Sequence, residues 1–400
     1  MRLKAIIVLI VALMMVTLGL ASCGESGGGG EKTTKKIGLT APLSGVAAAY
    51  GQDIKDGLEM AINRINQEGG ITIGDTTYVF ELLAADDEAT PEPALSNAQR
   101  FILEEDIQAI FDPVATSIQP LIGINEKPGE EFLVMAYTSV PLYTQKVNKY
   151  MITLPPPFSV YIPEWIKLAM GKGWMKMGML QTTGAYGDLW GSSMEKAWTA
   201  AGGTVVAKAP ASYYTESDFT PYLTTVLAAN PDVIFCGGPS DPTALVIDQA
   251  RSLGFKGGFI VIDQAKLDVI ADTTGMEKLE GAIGVLPVED AFDLWPYLKT
   301  FNDDYVAEFG GERTTWESAI AYSGMMILAR AMEAAESVDD VAAIREGFDQ
   351  SGVAVLDPEQ YPVGYQGIDT TTGALWMPGT ATMVEGGVFV EMEPIEWWLK

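Results

Sequence analysis

The stretch IGLTAPLSGVAAAYGQDIKDGLEMAINRINQEGGI occupies residues 37–71. A predicted strand over 36–40 leads into a loop at Pro42, and apolar residues at helical spacing follow until Gly69 and Gly70. A strand that feeds a loop and then a helix is half of a βαβ unit, which is the building block of a parallel sheet. The stretch therefore predicts an α/β protein.

The same alternation continues along the chain in two successive runs, which predicts two Rossmann-like parallel-sheet lobes built from right-handed crossovers. The further predicted strands lie at 78–83, 109–111, 132–135, 176–180, 204–207, 232–236 and 258–262, and the further predicted helices at 94–104, 165–171, 189–201, 219–229 and 243–253.

A mostly helical segment at 295–346 indicates a return to the first lobe, and 374–391 alternates like a hairpin. No long low-complexity linker separates the two runs, so we expect a hinge of several crossing strands. The predicted boundaries are 37–155 with 287–355 for lobe 1, and 156–286 with 356–400 for lobe 2.

The N-terminus is typical of a secreted lipoprotein. Residues 1–22 combine a basic start with a short apolar run, which predicts a signal peptide. The sequence LASC that ends at Cys23 resembles a bacterial lipobox, so Cys23 is the predicted lipidation site; an ordinary cleavage site that contains a cysteine is the alternative. Residues 23–36 carry four consecutive glycines and form the predicted tether.

Composition excludes several classes of function. The net charge of −28 disfavours nucleic acid and anionic membrane surfaces as partners. Histidine is absent, which removes His-dependent catalytic triads and His-ligated zinc. Ser193 and Lys196 spell S-x-x-K without the companion motifs of a β-lactamase, so we interpret them as an exposed helix face. We expect that the protein is not an enzyme and that it binds no metal and no cofactor. We also expect Cys236, in an apolar strand, to be buried and unpaired.

Several segments together resemble the leucine/isoleucine/valine-binding type of ABC-transporter solute-binding protein, and the resemblance extends from residue 37 to about 335. No single segment is diagnostic, but their order and spacing are. The segments are 37–71, ELLAADDEATPEPALSNAQRFI at 81–102, GAYGDLWGSSMEKAWTAAGGTVV at 184–206, DFTPYLTTVLAANPDVIFCGG at 218–238 and QARSLGFKG at 249–257.

The resemblance implies a type I periplasmic-binding fold, with lobes joined by three crossovers and a ligand cleft at the carboxyl ends of the strands. In lobe 1 it implies an aromatic wall at Tyr50. It also implies two loops that bind a ligand carboxylate through N–H groups and hydroxyls. Helix capping is the alternative role for Thr116 and Ser117. The predicted loop residues are Ala115, Thr116, Ser117, Tyr137, Thr138 and Ser139.

In lobe 2 the resemblance places Tyr186 against the ligand and Asp263 where the family usually pairs a glutamate with the ligand's α-ammonium. A packed core aromatic is the alternative for Tyr186, and a helix N-cap is the alternative for Asp263. The sequence departs from the family at Ala115, where a serine is usual, and at 239–241, where Pro-Ser-Asp stands in place of an aromatic pair. Asp241 would add a second acid to the cleft.

The function implied is capture of a small amino acid, or of a related amine or amide metabolite, for delivery to an ABC transporter permease. We expect a monomeric, lipid-anchored protein that is secreted across the cytoplasmic membrane to the periplasmic or cell-surface side. A ligand-sensing receptor component with the same fold is the alternative. None of the predicted ligand-binding loops supplies a Lys or Arg, so a multiply charged anion is disfavoured as the ligand.

Overall fold

The computed structural model describes residues 31–141, 148–311 and 313–399. The predicted signal peptide, Cys23 and the glycine-rich part of the tether lie outside the described residues. No helix in the described part of the chain has the length and apolar character needed to cross a membrane.

The described chain contains strands and helices close to the predicted positions. The strands are β1 (Glu31–Ala41), β2 (Ile71–Ile73), β3 (Thr76–Asp86), β4 (Ala109–Asp112), β5 (Leu133–Ala136), β6 (Met151–Thr153), β7 (Lys176–Gln181), β8 (Thr204–Lys208), β9 (Val233–Gly237), β10 (Gly258–Val261), β11 (Ala282–Gly284), β12 (Ile368–Asp369), β13 (Ala374–Leu375), β14 (Thr382–Glu385) and β15 (Val388–Glu391). The helices are α1 (Ala48–Gln67), α2 (Pro91–Glu105), α3 (Ala115–Leu121), α4 (Ile162–Gly171), α5 (Ala185–Ala200), α6 (Thr220–Leu227), α7 (Ser240–Ser252), α8 (Leu267–Thr274), α9 (Pro296–Phe309), α10 (Trp316–Ala334) and α11 (Val341–Phe348).

Each lobe is built on one sheet. The lobe 1 sheet has the order β12-β13-β6-β5-β4-β1-β3-β2, and the lobe 2 sheet has the order β15-β14-β11-β10-β9-β7-β8. The central strands run parallel, and antiparallel pairs occur at the edges, where β2 pairs with β3 and β14 pairs with β15. The predicted α/β class with two parallel-sheet lobes is confirmed.

The chain passes between the lobes three times: between β6 and α4, between β11 and α9, and between β13 and β14. The third passage lies later in the chain than the predicted boundary at residue 356. Ala374 pairs with Thr153 in the lobe 1 sheet, and the Tyr365 hydroxyl donates to the carbonyl of Leu154 at 2.9 Å. Residues 356–375 therefore belong to lobe 1, because after α11 the chain adds a short edge strand beside β6.

The first strand also begins earlier than predicted, since β1 starts at Glu31 and pairs with β3 from Thr76 onward. The buried amine of Lys35 forms ion pairs with Asp106 at 3.3 Å and Asp339 at 2.5 Å. Because β1 pairs with β3 along this whole stretch, residues 31–36 belong to the sheet and not to the predicted tether.

Helix α1 shows how local sequence sets the lobe 1 core. Its apolar face packs between the sheet and α10, and Gly69 and Gly70 follow its end with φ of 113° and 85°, conformations that favour glycine. Gly57 allows α1 and α10 to approach closely, because a Cβ at this position would lie 2.2 Å from the carbonyl oxygen of Ser318. The crossing of these two helices is therefore specified by a residue without a side chain.

In lobe 2, the side chain of Trp190 is fully buried and stacks on Phe158 at 4.3 Å and on Trp165 at 5.3 Å between ring centroids. The predicted burial of Cys236 is confirmed: on β9 it is 0% exposed, it has no disulfide partner, and burial raises the pKa of its thiol. A thiol with this environment is an inert core residue.

Candidate functional site

A cavity of about 290 Å³ lies between the lobes, at the carboxyl ends of the parallel strands. Both lobes line it, and on either side α3 contacts α5 and the turn at 45–47 contacts α7. The volume is at the small end of the range for ligand pockets, roughly 300–1,000 Å³. The cavity therefore fits a small metabolite.

The lobe 1 wall presents hydrogen-bond donors from two loops. The backbone N–H groups of Thr116, Thr138 and Ser139 have no acceptor among the described residues, and all three residues line the cavity. The first N–H groups of a helix have no partner within the helix, and α3 begins at Ala115, so Thr116 contributes such a donor. Several N–H donors that converge on one point suit a carboxylate.

The loops that carry these donors are held by backbone geometry. Asp112, at the end of β4, accepts the N–H of Val114 through its carboxyl at 2.9 Å and the N–H of Tyr137 through its carbonyl at 3.0 Å. Val114 is the N-cap of α3, without a side-chain cap hydrogen bond, so capping does not account for the Thr116 hydroxyl. That hydroxyl remains available to a ligand.

Aromatic side chains form much of the remaining wall. Tyr50 donates to the carbonyl of Pro113 at 3.1 Å, and its ring packs edge-on against Tyr137 at 6.2 Å. Burial raises the pKa of both hydroxyls well above the ordinary value of a tyrosine, so they stay neutral. The aromatic residues that line the cavity are Tyr50, Tyr137, Tyr161, Tyr186, Tyr214 and Trp316.

Lobe 2 contributes a carboxylate. One oxygen of Asp263, Oδ1, accepts the Tyr186 hydroxyl and, at 3.1 Å, the Trp190 indole N–H. The other oxygen has no hydrogen-bond donor among the described residues, and Asp263 lines the cavity. Helix α8 begins at Leu267 with Lys266 as its N-cap, so the alternative role of Asp263 as a helix cap does not apply. Tyr186 likewise faces the cavity.

Two predicted site residues lie elsewhere. Ser117 is fully buried and does not line the cavity. Asp241 is exposed on the first turn of α7 and lines a separate pocket of about 40 Å³ together with Asp53 and Glu317. The other eight residues, which the structure brings together around the cavity, are Tyr50, Ala115, Thr116, Tyr137, Thr138, Ser139, Tyr186 and Asp263.

The sequence showed no Lys or Arg in the predicted ligand-binding loops, but Lys266, which follows Asp263, also lines the cavity. Its amine lies 2.7 Å from Glu317 of lobe 1, and both side chains are buried. The positive charge is therefore paired within the protein, and Asp263 remains the unpaired charge on the lobe 2 wall. The sequence could have indicated Lys266 as a cavity residue, because it stands three residues after Asp263 in the same loop. No feature of the sequence indicated that Glu317 would be its partner.

This arrangement suits a small molecule with a polar group at each end. No group of three or more His, Cys, Asp or Glu residues in the described ranges could hold a metal ion. The cavity has convergent donors on one side and a carboxylate acceptor on the other. A zwitterion has complementary charges at two such ends.

Known proteins resemble this chain in sequence and in fold. A family model described as periplasmic binding protein matches residues 34–387. The chain is 27% identical over 221 residues to the Leu/Ile/Val-binding protein BraC3 of Rhizobium johnstonii, a match that covers 54% of this chain and 58% of that relative's length.

Solved structures share the fold at lower identity. A leucine-binding protein from Thermotoga maritima superposes with a TM-score of 0.74 and 21% identity, over 92% of this chain and 100% of that protein. A solute-binding protein of an ABC transporter from R. palustris, solved in complex with 4-hydroxybenzoate, gives a TM-score of 0.73 and 20% identity, over 92% of this chain and 99% of that protein.

Proposed function

The chain belongs to the periplasmic binding protein family, and on that premise we propose that it captures a small amino acid, or a related amine or amide metabolite, between its lobes and delivers it to an ABC transporter. Members of this family bind solutes outside the cytoplasm and are not enzymes, so the cleft is a site of capture without chemistry. The proposed partners are the ligand and a transporter permease, and the protein acts as a monomer.

The observation that carries the proposal is the pair of opposed polar ends in the cleft. Donors at Thr116, Thr138 and Ser139 suit the carboxylate of an amino acid, and Asp263 suits its ammonium group. The tyrosines between these ends would cover the apolar middle of the ligand. Because the ends belong to different lobes, a ligand that contacts both favours the closed state.

The aromatic lining favours a second candidate, which is an aromatic carboxylate such as 4-hydroxybenzoate. The R. palustris protein with this ligand shares the fold, but the low identity carries no information about the ligand of this chain. An aromatic acid would leave Asp263 facing the ligand without a positive partner, and a half-buried carboxylate without a partner is costly. The amine-bearing ligand is therefore the better fit.

We propose that lipid on Cys23 anchors the mature protein at the outer side of the cytoplasmic membrane or at the cell surface. The support is the sequence LASC after an apolar run. The same closure could instead signal to a receptor. Neighbouring permease and ATPase genes would favour transport, whereas a neighbouring histidine kinase gene would favour sensing.

The ligand class can be tested directly. Native mass spectrometry of the purified full-length protein would identify a retained ligand, and calorimetry would then compare L-amino acids, their amides, and aromatic carboxylates including 4-hydroxybenzoate. We expect an amine-bearing ligand to bind best and to be recovered unchanged. Tighter binding of a nitrogen-free carboxylate would refute the assignment, and recovery of a converted product would refute the absence of catalysis.

A further inference from the structure

Lys266 makes more contacts than a simple ion pair requires. Its amine donates to the main-chain carbonyl of Asp263 at 2.7 Å and to that of Gln264 at 3.0 Å. Its backbone N–H donates to the Ser240 hydroxyl at 3.0 Å, which fixes the end of the same loop to α7. A single ammonium group therefore holds the main-chain carbonyls of Asp263 and Gln264, two lobe 2 residues that line the cavity.

The remaining partner of this amine comes from the other lobe. Glu317 lies in the first turn of α10, and its carboxylate is 2.7 Å from the Lys266 amine. The side chains of Lys266 and Glu317 are only 6% and 3% exposed, so solvent screens neither charge well. A buried charge without its partner is strongly unfavourable, and the contact can form only when the lobes are together.

A second bridge between the lobes serves for comparison. Arg313 of lobe 1 pairs with Asp268 of α8 at 2.9 Å and also with Asp272. This bridge attaches α8 to lobe 1 but makes no hydrogen bond to Asp263 or Gln264. Arg313 can therefore stabilise closure without setting the shape of the ligand-binding loop. Lys266 differs because it does both.

We propose that Lys266 and Glu317 are positioning residues, which fix the main chain of Asp263 and Gln264 when the lobes close. Lobe 1 thereby holds the lobe 2 carboxylate in the place where it binds the nitrogen end of the ligand. This inference rests on the proposed function. It assigns a role in ligand discrimination to a pair that does not itself bind the ligand's nitrogen.

The test compares ligands that differ only in the amino group. The probes are L-alanine with propionate, L-leucine with 4-methylpentanoate, and L-phenylalanine with 3-phenylpropionate. Calorimetry on the full-length protein gives, for the pair that binds best, the ratio of affinities between the amino acid and its deaminated partner. The variants are Lys266→Met combined with Glu317→Gln, which leaves no buried unpaired charge, and Arg313→Gln as the matched control.

We expect the double variant to lower this ratio by about tenfold, because the loss of directed hydrogen bonds allows Asp263 to move away from the ammonium group. Arg313→Gln should weaken the binding of the amino acid and of its deaminated partner by the same factor, because a shift in the closure equilibrium affects all ligands equally. The ratio of their affinities should therefore stay within about twofold of the wild-type ratio. If the double variant does not fold, the near-isosteric Glu317→Gln variant carries the test, with a smaller fall in the ratio expected.

An unchanged ratio in the double variant or in Glu317→Gln, with both affinities reduced equally, would show that the pair only holds the lobes together, and would overturn the proposal while leaving the proposed function intact. If the wild-type protein prefers none of the three amino acids over its deaminated partner, the proposed function fails, and the positioning role fails with it.

Discussion

Replacing Asp263 with asparagine tests the ligand-binding site at its most specific point. The substitution keeps the size of the side chain and one oxygen that can accept the Tyr186 hydroxyl and the Trp190 indole N–H. It removes the negative charge and offers an amide where the free carboxylate oxygen stood. Alanine would be a poorer choice, because it would leave both buried donors without an acceptor.

The expected loss follows from the environment of Asp263. A hydrogen bond to a charged group contributes roughly 1.5–3 kcal/mol, and a tenfold change in affinity corresponds to about 1.4 kcal/mol. Asp263 is only partly exposed, so solvent screens its charge less than that of a surface carboxylate. We therefore expect Asp263→Asn to weaken an amine-bearing ligand by between about 10-fold and 150-fold.

The assay is calorimetry of wild type and variant with the best amine-bearing ligand of the panel. Asp241→Asn provides the matched control, because this acid also belongs to lobe 2 but lines a different pocket. We expect the control to change the affinity less than about twofold, since screened charges outside the site contribute little. If Asp263→Asn binds as tightly as wild type, or if Asp241→Asn costs more than Asp263→Asn, the assignment of Asp263 to the ligand's nitrogen is wrong.

Four other predictions follow from the structure and the sequence. Burial raises the pKa of Asp53 from its ordinary 3.8 to about 7. Between these pH values the folded protein keeps a proton that the unfolded chain has lost, so the free energy of unfolding should fall as pH rises from about 4 to about 8. Denaturant titrations of Asp53→Asn should show a weaker pH dependence of this free energy. A pH dependence equal to that of the wild type would contradict the prediction. Gly57→Ala should destabilise the protein by roughly 1–3 kcal/mol in thermal melts, because the new Cβ meets the Ser318 carbonyl. Gly171→Ala, whose Cβ would meet nothing within 4 Å, should destabilise the protein by less than about 1 kcal/mol. If both substitutions destabilised the protein equally, the close approach of α1 and α10 at Gly57 would not explain the loss. Cys23→Ser should yield protein without lipid, and mass spectrometry that finds a mature N-terminus elsewhere would exclude the lipobox. Small-angle scattering should show a smaller radius of gyration with ligand, and an identical profile at saturation would argue against hinge closure.

The sequence by itself determined the fold class, and its resemblance to a family suggested the loops that line the cleft. Apolar periodicity distinguishes strands from helices, and parallel strands place their carboxyl ends at one edge of a sheet. The resemblance to the family then assigned residues that follow strands, such as Tyr137 after β5 and Asp263 shortly after β10, to the cleft. Recognition of the family added the aromatic wall at Tyr50.

The tertiary structure decided which neighbouring residues face the ligand. Successive residues on a helix point about 100° apart, so Thr116 can line the cavity while Ser117 is buried behind it. The third passage between the lobes was also not evident in the sequence, because the edge strand β13 has only two residues, too few to show a periodicity.

Contacts between the lobes depend on their relative orientation, which no local pattern encodes. Lys266 and Glu317 lie on different lobes, and only the closed arrangement brings their charges together. Asp241 and Asp263 are both acids near the carboxyl ends of lobe 2 strands, yet only Asp263 lines the ligand cavity. Periodicity reports which face of an element is buried, whereas the partner of a buried charge is set by how whole lobes pack, and only the three-dimensional structure contains that information.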